Sequence, residues 1–307
     1  MIDFRYHLVS LISVFLALAV GVVLGAGPLQ NSLGTALNDQ VTSLRSDRND
    51  LQTRLEQTEA AVNDRDDYIT AAAASLLPGV LNGRRVAVVT LPDAEGGDID
   101  AIVKEIETAG AAVTGRVSLT TAWSLTARES FRSTYSGQFT PYLEGAATDG
   151  NAILGQGLAA ALTTEGENAA ALMGLLTASD NPLVTEDAAP SAPADMIVVI
   201  GPRTVASPAG GEPTAAATPE QDAGAWVSAL TGLASASTTV VVGAADVKAD
   251  IVSALRTAKA PVTTVDSVGQ ATAAVSAPLA LAATAAGTVG NYGFDDGADA
   301  IIPPVSN

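Results

Sequence analysis

The run from Leu8 to Leu29, LVSLISVFLALAVGVVLGAGPL, contains no charged side chain. A stretch this long and this apolar is stable either deep inside a large protein or across a bilayer. The residues that follow it are polar and acidic, so the bilayer is the expected setting. Asp3, Arg5, Tyr6 and His7 are the ionisable side chains before the run, and the first charge after it is Asp39. A basic residue on the near side predicts that the N-terminus stays inside and the rest lies outside. Ala17-Leu18-Ala19 and Gly25-Ala26-Gly27 loosely fit the small-x-small pattern of a cleaved signal. The run is nevertheless longer than a signal core and leads almost directly into a second helix, so an uncleaved anchor is expected. Ala17, Gly21 and Gly25 recur at four-residue spacing. That is either a face for close helix packing or the ordinary tolerance of membrane helices for glycine.

From Leu37 the apolar period changes. With Leu37 at heptad position d, Leu44 and Leu51 are also d, and Val41, Leu55, Val62 and Ile69 are a. A sustained seven-residue period predicts a coiled coil. Gly34 at the preceding a position packs nothing, and Leu33 falls at flanking position g. Arg48 at a, and Thr58 and Arg65 at d, break the seam, because a buried arginine needs a partner. Neither Gly nor Pro interrupts Thr35 to Leu77, a span of about 60 Å as a helix. The helix either pairs with a second copy or folds back on its own domain. The narrow a/d stripe favours a homodimer through Leu37, Val41, Leu44, Leu51, Leu55 and Val62.

With 15 basic and 33 acidic side chains, the formal charge of −18 argues against nucleic acid as a partner. Membrane contact is then confined to the apolar run. There is no cysteine, which removes disulfides and thiolate metal sites.

Pro78-Gly79 ends the coil, and an alternation of short apolar strands and helices follows. Strands are expected at Arg84–Thr90, Ala112–Leu119, Asp195–Ile200, Thr238–Val242 and Val262–Val265. Helices are expected at Asp98–Ala109, Ala152–Leu176, Asp222–Ala234, Ala245–Ala258 and Gly269–Ala286. Ala122 to Gly150 reads as mostly helical and holds Trp123, Phe131, Tyr135, Phe139 and Tyr142, which fit core filling or a cap over the sheet ahead of an exposed aromatic patch for a partner. Ser207 to Thr218 reads as a mobile surface loop, and Gly287 to Phe294 as a tight turn in a tail docked on the sheet. The expected fold is α/β: a transmembrane helix and a coiled coil, then a Rossmann-like three-layer domain with a mostly parallel sheet. The expected divisions are an anchor over 1–30, a stalk over 31–77 and an extracytoplasmic domain over 78–307.

Ligands of such sheets sit beyond the carboxyl strand ends, here Thr90–Asp93, Gly201–Arg203, Gly243–Asp246 and Asp266. No dinucleotide fingerprint, Walker loop or nucleophile elbow occurs there. Asp93, Glu95 and Asp98 form an acidic loop that fits a hard-cation site or, more simply, solvated carboxylates, and Gly201-Pro202-Arg203 fits the approach of an anion or, more ordinarily, a strand-to-loop turn. The single histidine, His7, precedes the apolar run, which excludes a histidine triad in the distal domain. Met1, Met173 and Met196 are the only sulfur side chains, too few for a tight copper(I) site. No catalytic residue, cofactor or resident metal is expected, and an enzyme is not expected.

The block MIDFRYHLVSLISVFLALAVGVVLGAGPL resembles the actinobacterial family named for mycobacterial copper transport protein B. The resemblance continues through the heptads, Val262-Thr263-Thr264-Val265-Asp266, Gly290-Asn291-Tyr292-Gly293 and Ile302-Pro303. It implies one of two roles. One is copper efflux or an outer-membrane channel. The other is that of a corynebacterial cell-separation component, which acts with a membrane partner to activate a peptidoglycan endopeptidase. The single apolar helix, the coil and the α/β domain use the second more fully. The expected function is therefore a non-enzymatic, membrane-anchored envelope scaffold that dimerises and positions or activates a cell-wall hydrolase. The alternative is a copper-efflux or channel-associated protein. The expected location is the plasma membrane, single-pass, rather than the outer membrane.

Overall fold

A computed structural model describes residues 4–26, 28–178, 181–204 and 222–305. The loop expected over Ser207–Thr218 lies outside the described residues, as do the side chains of 24 and 26–36, Leu33 and Gly34 among them. The chain divides into two units, Met1–Asp64 and Arg65–Asn307.

The first unit is helical. Helix α1, Phe4–Ala26, contains a stretch from Phe4 to Val23 long and apolar enough to cross a membrane. Its side chains from Leu8 to Val23 are exposed. Helix α2, Pro28–Leu76, is 49 residues long, or about 74 Å. Pro28 opens it, where the missing N–H would have had no intrahelical partner. Thr58, on the expected seam, donates its hydroxyl to the carbonyl of Arg54 at 2.8 Å, so no polar group is stranded there.

Among the described residues the second unit is a seven-stranded sheet between helices, in order β3-β2-β1-β4-β5-β6-β7. Strands β1 (Arg85–Thr90), β2 (Ala112–Leu119), β4 (Met196–Ile200), β5 (Thr238–Val242), β6 (Thr263–Val265) and β7 (Asn291–Tyr292) run parallel. Strand β3 (Val184–Ala188) pairs antiparallel with β2 at one edge. The period-two side-chain alternation explains the double burial. Ala87 and Val89 face one core with Ile197 and Val199, while Val86 and Val88 face the other with Met196, Val198 and Ile200.

Helices α3 (Gly96–Thr108) and α9 (Ala271–Ala285) cover the second face. The end of α2 joins them there through Ala73, and Leu77 and Leu81 follow it into that core. The first face is covered by α5 (Gly150–Thr163), α6 (Glu167–Thr177), α7 (Ala223–Ala236) and α8 (Ile251–Thr257). The strand order reverses between β1 and β4, which makes their carboxyl ends the topological switch point.

Three local expectations change. Ala122–Gly150 is a string of single 3-10 turns around one short helix, α4 (Glu129–Tyr135), rather than mostly helix. Trp123 and Phe139 fill the core while Phe131 and Tyr142 stay exposed: Trp123 stacks on Trp226 at 6.2 Å, and its indole N–H donates to the carbonyl of Leu183 at 2.7 Å. The helix expected over Ala245–Ala258 starts only at Ile251, because the Asp250 carboxylate accepts the N–H of Val247 at 2.9 Å and holds a turn. The Gly287–Phe294 tail supplies a seventh strand, paired with β6, rather than only docking.

Candidate functional site

The carboxyl edge of the sheet gathers most of the strand-end residues singled out in the sequence. Asp266 leaves β6 with its side chain fully buried. Its carboxylate accepts the N–H groups of Phe294 (2.9 Å) and Asp295 (3.0 Å) and the hydroxyl of Ser267 (2.7 Å). Arg256, from the last turn of α8, donates Nη1 to Asp266 at 3.0 Å and Nη2 to the carbonyl of Tyr292 at 3.0 Å. Arg256 Nε donates to the Thr264 hydroxyl at 3.1 Å, and that hydroxyl donates to Asn291 Oδ1 at 2.8 Å. Burial alone would raise the Asp266 carboxyl. The two backbone N–H groups, the serine and the arginine outweigh it and hold it below the usual carboxylate range.

Gly293 sits at φ 130°, and a side chain there would strike the Asp266 carboxylate. The segments Val262–Asp266 and Gly290–Gly293, distant in sequence, therefore meet in one clamp. Every strong acceptor site in it is occupied, so it is built to hold shape rather than to react.

Beside the clamp lies a cavity of about 570 Å³ lined by Arg203, Thr204, Asp246, Ser267, Phe294 and Asp295, among others. The Thr204 hydroxyl lies 2.6 Å from carboxylate oxygens of both Asp246 and Asp250. The carboxyl of Asp295 is pushed up by burial first, then by the charges of Asp266, Asp246 and Asp250. The rim is thus acidic and rich in oxygen donors. Among the described residues, no group of three or more His, Cys, Asp or Glu side chains is placed to hold a metal ion.

Asp98, expected to be solvated, is instead buried at the switch point. Arg203 grips it with Nε at 2.8 Å and Nη2 at 2.7 Å. That bidentate bond raises the Arg203 guanidinium above its usual value and commits the charge that an approaching anion would need. Sequence reading pointed to Gly201–Arg203, Gly243–Asp246 and Asp266 but missed Arg256, Thr204 and Asp250. Arg256 was findable as a cation in the last turn of a helix followed closely by a strand ending in aspartate.

The six seam residues, Leu37, Val41, Leu44, Leu51, Leu55 and Val62, all lie on α2 with their side chains exposed. Among the described residues they join neither buried core, and they form an apolar line on the long helix that is interrupted at Arg48 and Thr58. Met196 is buried in β4, and His7 lies exposed on α1.

A family model described as "Copper transport outer membrane protein, MctB" matches residues 1–303. The curated relatives called copper transporter MctB include one from Mycobacterium tuberculosis (strain ATCC 25618 / H37Rv), 33% identical over 188 residues, 59% of this chain and 54% of the relative. The one from Mycobacterium leprae (strain TN) is 32% identical over 193 residues, 60% of this chain and 55% of the relative. The chain spans about half the length of the curated relatives it matches.

These matches overturn two expectations. They name copper transport, where the residue pattern led to a scaffold for a cell-wall hydrolase and its cell-separation partner. The family description also names the outer membrane, where a plasma-membrane anchor was expected. Both expectations weighed an absence of soft-metal ligands and a single helix. Neither feature bears on an ion that is cargo, or on which bilayer a helix enters.

Proposed function

We propose a function from one premise: the chain belongs to the family of the copper transport outer membrane protein MctB. The chain is a membrane-anchored component of copper transport at the outer membrane, moving the ion outward. The observation that carries this reading is the extent of the match, residues 1–303, which takes in anchor, coil and domain together.

Copper enters the reading as cargo. A chain with no cysteine, one histidine and three methionines cannot assemble a tight copper(I) site by itself. A transported ion needs contacts weak enough to release it, which suits oxygen donors such as those on the acidic rim. One helix encloses no lumen, so the conduit is formed by several copies of α1 or with a partner. Within this reading the anchor is 1–30, the coil 31–77 and the domain 78–307, and the seam of α2 pairs two copies through Leu37, Val41, Leu44, Leu51, Leu55 and Val62.

The test is copper retention. Cells that lack the chain, exposed to copper, retain more of it by elemental mass spectrometry than the parent, and the full chain restores the parent level. Equal or lower copper in the deletion strain would remove the reading. Pairing is tested separately. Leu44→Glu with Leu51→Glu places charges at two successive d positions and shifts the detergent-solubilised chain from dimer to monomer in sedimentation. An unchanged mass at low protein concentration would refute the seam.

A further inference from the structure

Strand β3 ends the sheet, and among the described residues its strand neighbour is β2 alone. Every second residue of such a strand turns its main-chain N–H and C=O outward. Thr185, Glu186, Asp187 and Ala188 are all exposed, so those groups meet solvent. The chain past β3 does not shut this edge. It crosses to the start of β2, where the Ser191 N–H donates to the carbonyl of Thr114 at 2.7 Å. Pro190 and Pro193, in the same segment, have no N–H to offer a neighbour. The open edge is therefore β3 itself, five residues or about 17 Å.

The edge opens beside a groove of about 470 Å³ between β3 and the turn that joins α5 to α6. Val184 packs in the first core, and Glu186, two residues on, lines the groove on that same face. The groove has an apolar floor that includes Leu162, Ala169 and Met173. Glu165 and Glu186 are its charged lining residues, and among the described residues no lysine, arginine or histidine lines it. Glu165 acts through space on Arg85, but that guanidinium is held by Asp195 at 3.0 Å and lies outside the groove. On the opposite face of β3, Asp187 is engaged by the Ser118 hydroxyl at 2.6 Å.

These features choose one occupant. Unpaired main-chain groups along a strand are completed by another strand. A second copy of this chain would bring its own Glu186 and Asp187 to the edge, and like charges across a strand pair repel. A strand with lysine or arginine at every second position has the opposite charge. Its alkyl stems cover the apolar floor while its cationic heads reach the two carboxylates.

We propose that β3 and the adjoining groove dock an extended basic segment of a partner protein. The segment adds to the sheet edge as a further strand, with its basic side chains over the groove towards Glu165 and Glu186.

The test is calorimetric titration of the full chain in nanodiscs of neutral phosphatidylcholine. The probes are a capped hexapeptide of alternating lysine and valine, its glutamate–valine counterpart, and spermidine, a polycation with no peptide backbone. The basic peptide binds, the acidic one does not, and spermidine binds about tenfold more weakly or less. Hydrogen exchange slows in β3 when the basic peptide is bound. Glu165→Lys with Glu186→Lys, both at exposed positions, weakens the basic peptide about tenfold or more and lets the acidic peptide bind. No binding of the basic peptide at millimolar concentration, equal binding of spermidine, or unchanged exchange in β3 overturns the proposal. Exchange in β3 that slows with rising concentration of the chain alone would place a second copy on the edge and also overturns it.

Discussion

Arg256→Ala lowers the stability of the α/β unit by about 3–5 kcal/mol, because it leaves the buried Asp266 carboxylate without its cation. For a unit of this size that is a fall of about 6–20 °C in melting temperature. The loss is larger than that of a surface ion pair, because Arg256 also donates to the carbonyl of Tyr292 and to the hydroxyl of Thr264. The substitution therefore loosens β7 as well as the charge pair. Asp266→Asn acts in the same direction, since an amide offers one acceptor oxygen where two backbone N–H groups, a serine and an arginine converge.

The pH dependence has a definite sign. The folded Asp266 carboxyl lies below its unfolded value, so its contribution is fully present above the unfolded value of about 3.9 and is lost as pH falls through the lower folded value. The gap in melting temperature between the parent and Asp266→Asn is thus constant from neutral pH down to about 4 and closes below it. Calorimetry of the full chain checks both statements. A shift of less than about 2 °C for Arg256→Ala would mean that the clamp is not structural.

Gly155→Ala and Gly232→Ala each destabilise by about 1–3 kcal/mol, the reverse of what alanine does on a free helix. Helices α5 and α7 touch backbone to backbone at these positions. A methyl on Gly155 would collide with the carbonyl of Ala229, and one on Gly232 with the carbonyl of Ala152. Neither neighbour can swing aside, since both are main chain, so the helices must separate. That separation would also strain the nearby core of Leu154, Leu158, Trp226 and Leu230. Gly174 on α6 is the internal control. It is exposed and a methyl there meets nothing within 4 Å, so Gly174→Ala stabilises by up to about 1 kcal/mol. Thermal unfolding of the three variants decides the matter. Shifts of the same sign at Gly155 and Gly174 would show that the close approach carries no energy.

Strands β1, β4 and β5 were legible because burial on both faces leaves nearly continuous apolar runs, and β2 and β6 because valines and leucine recur among β-favouring residues between turn signals. Strand β3, Val-Thr-Glu-Asp-Ala, was not. It lies at the sheet edge with only Val184 buried, and the charges that guard such an edge erase the pattern of a strand. The division of Ala152–Leu176 into α5 and α6 turns on Gly166 at φ 96°, a backbone choice that the surrounding alanines and leucines do not announce. Asp98 read as solvated because its partner, Arg203, is brought to it only by the pairing of β1 with β4.

The sequence by itself determined the membrane helix, the heptad line and the α/β class. Each depends on which residues are apolar and at what spacing, and that is written locally. The tertiary structure alone decided the clamp between Asp266 and Arg256 and the commitment of Arg203 to Asp98. Whether a buried charge has a partner depends on groups that strand order and helix packing bring together from distant parts of the chain, and no local pattern encodes that distance.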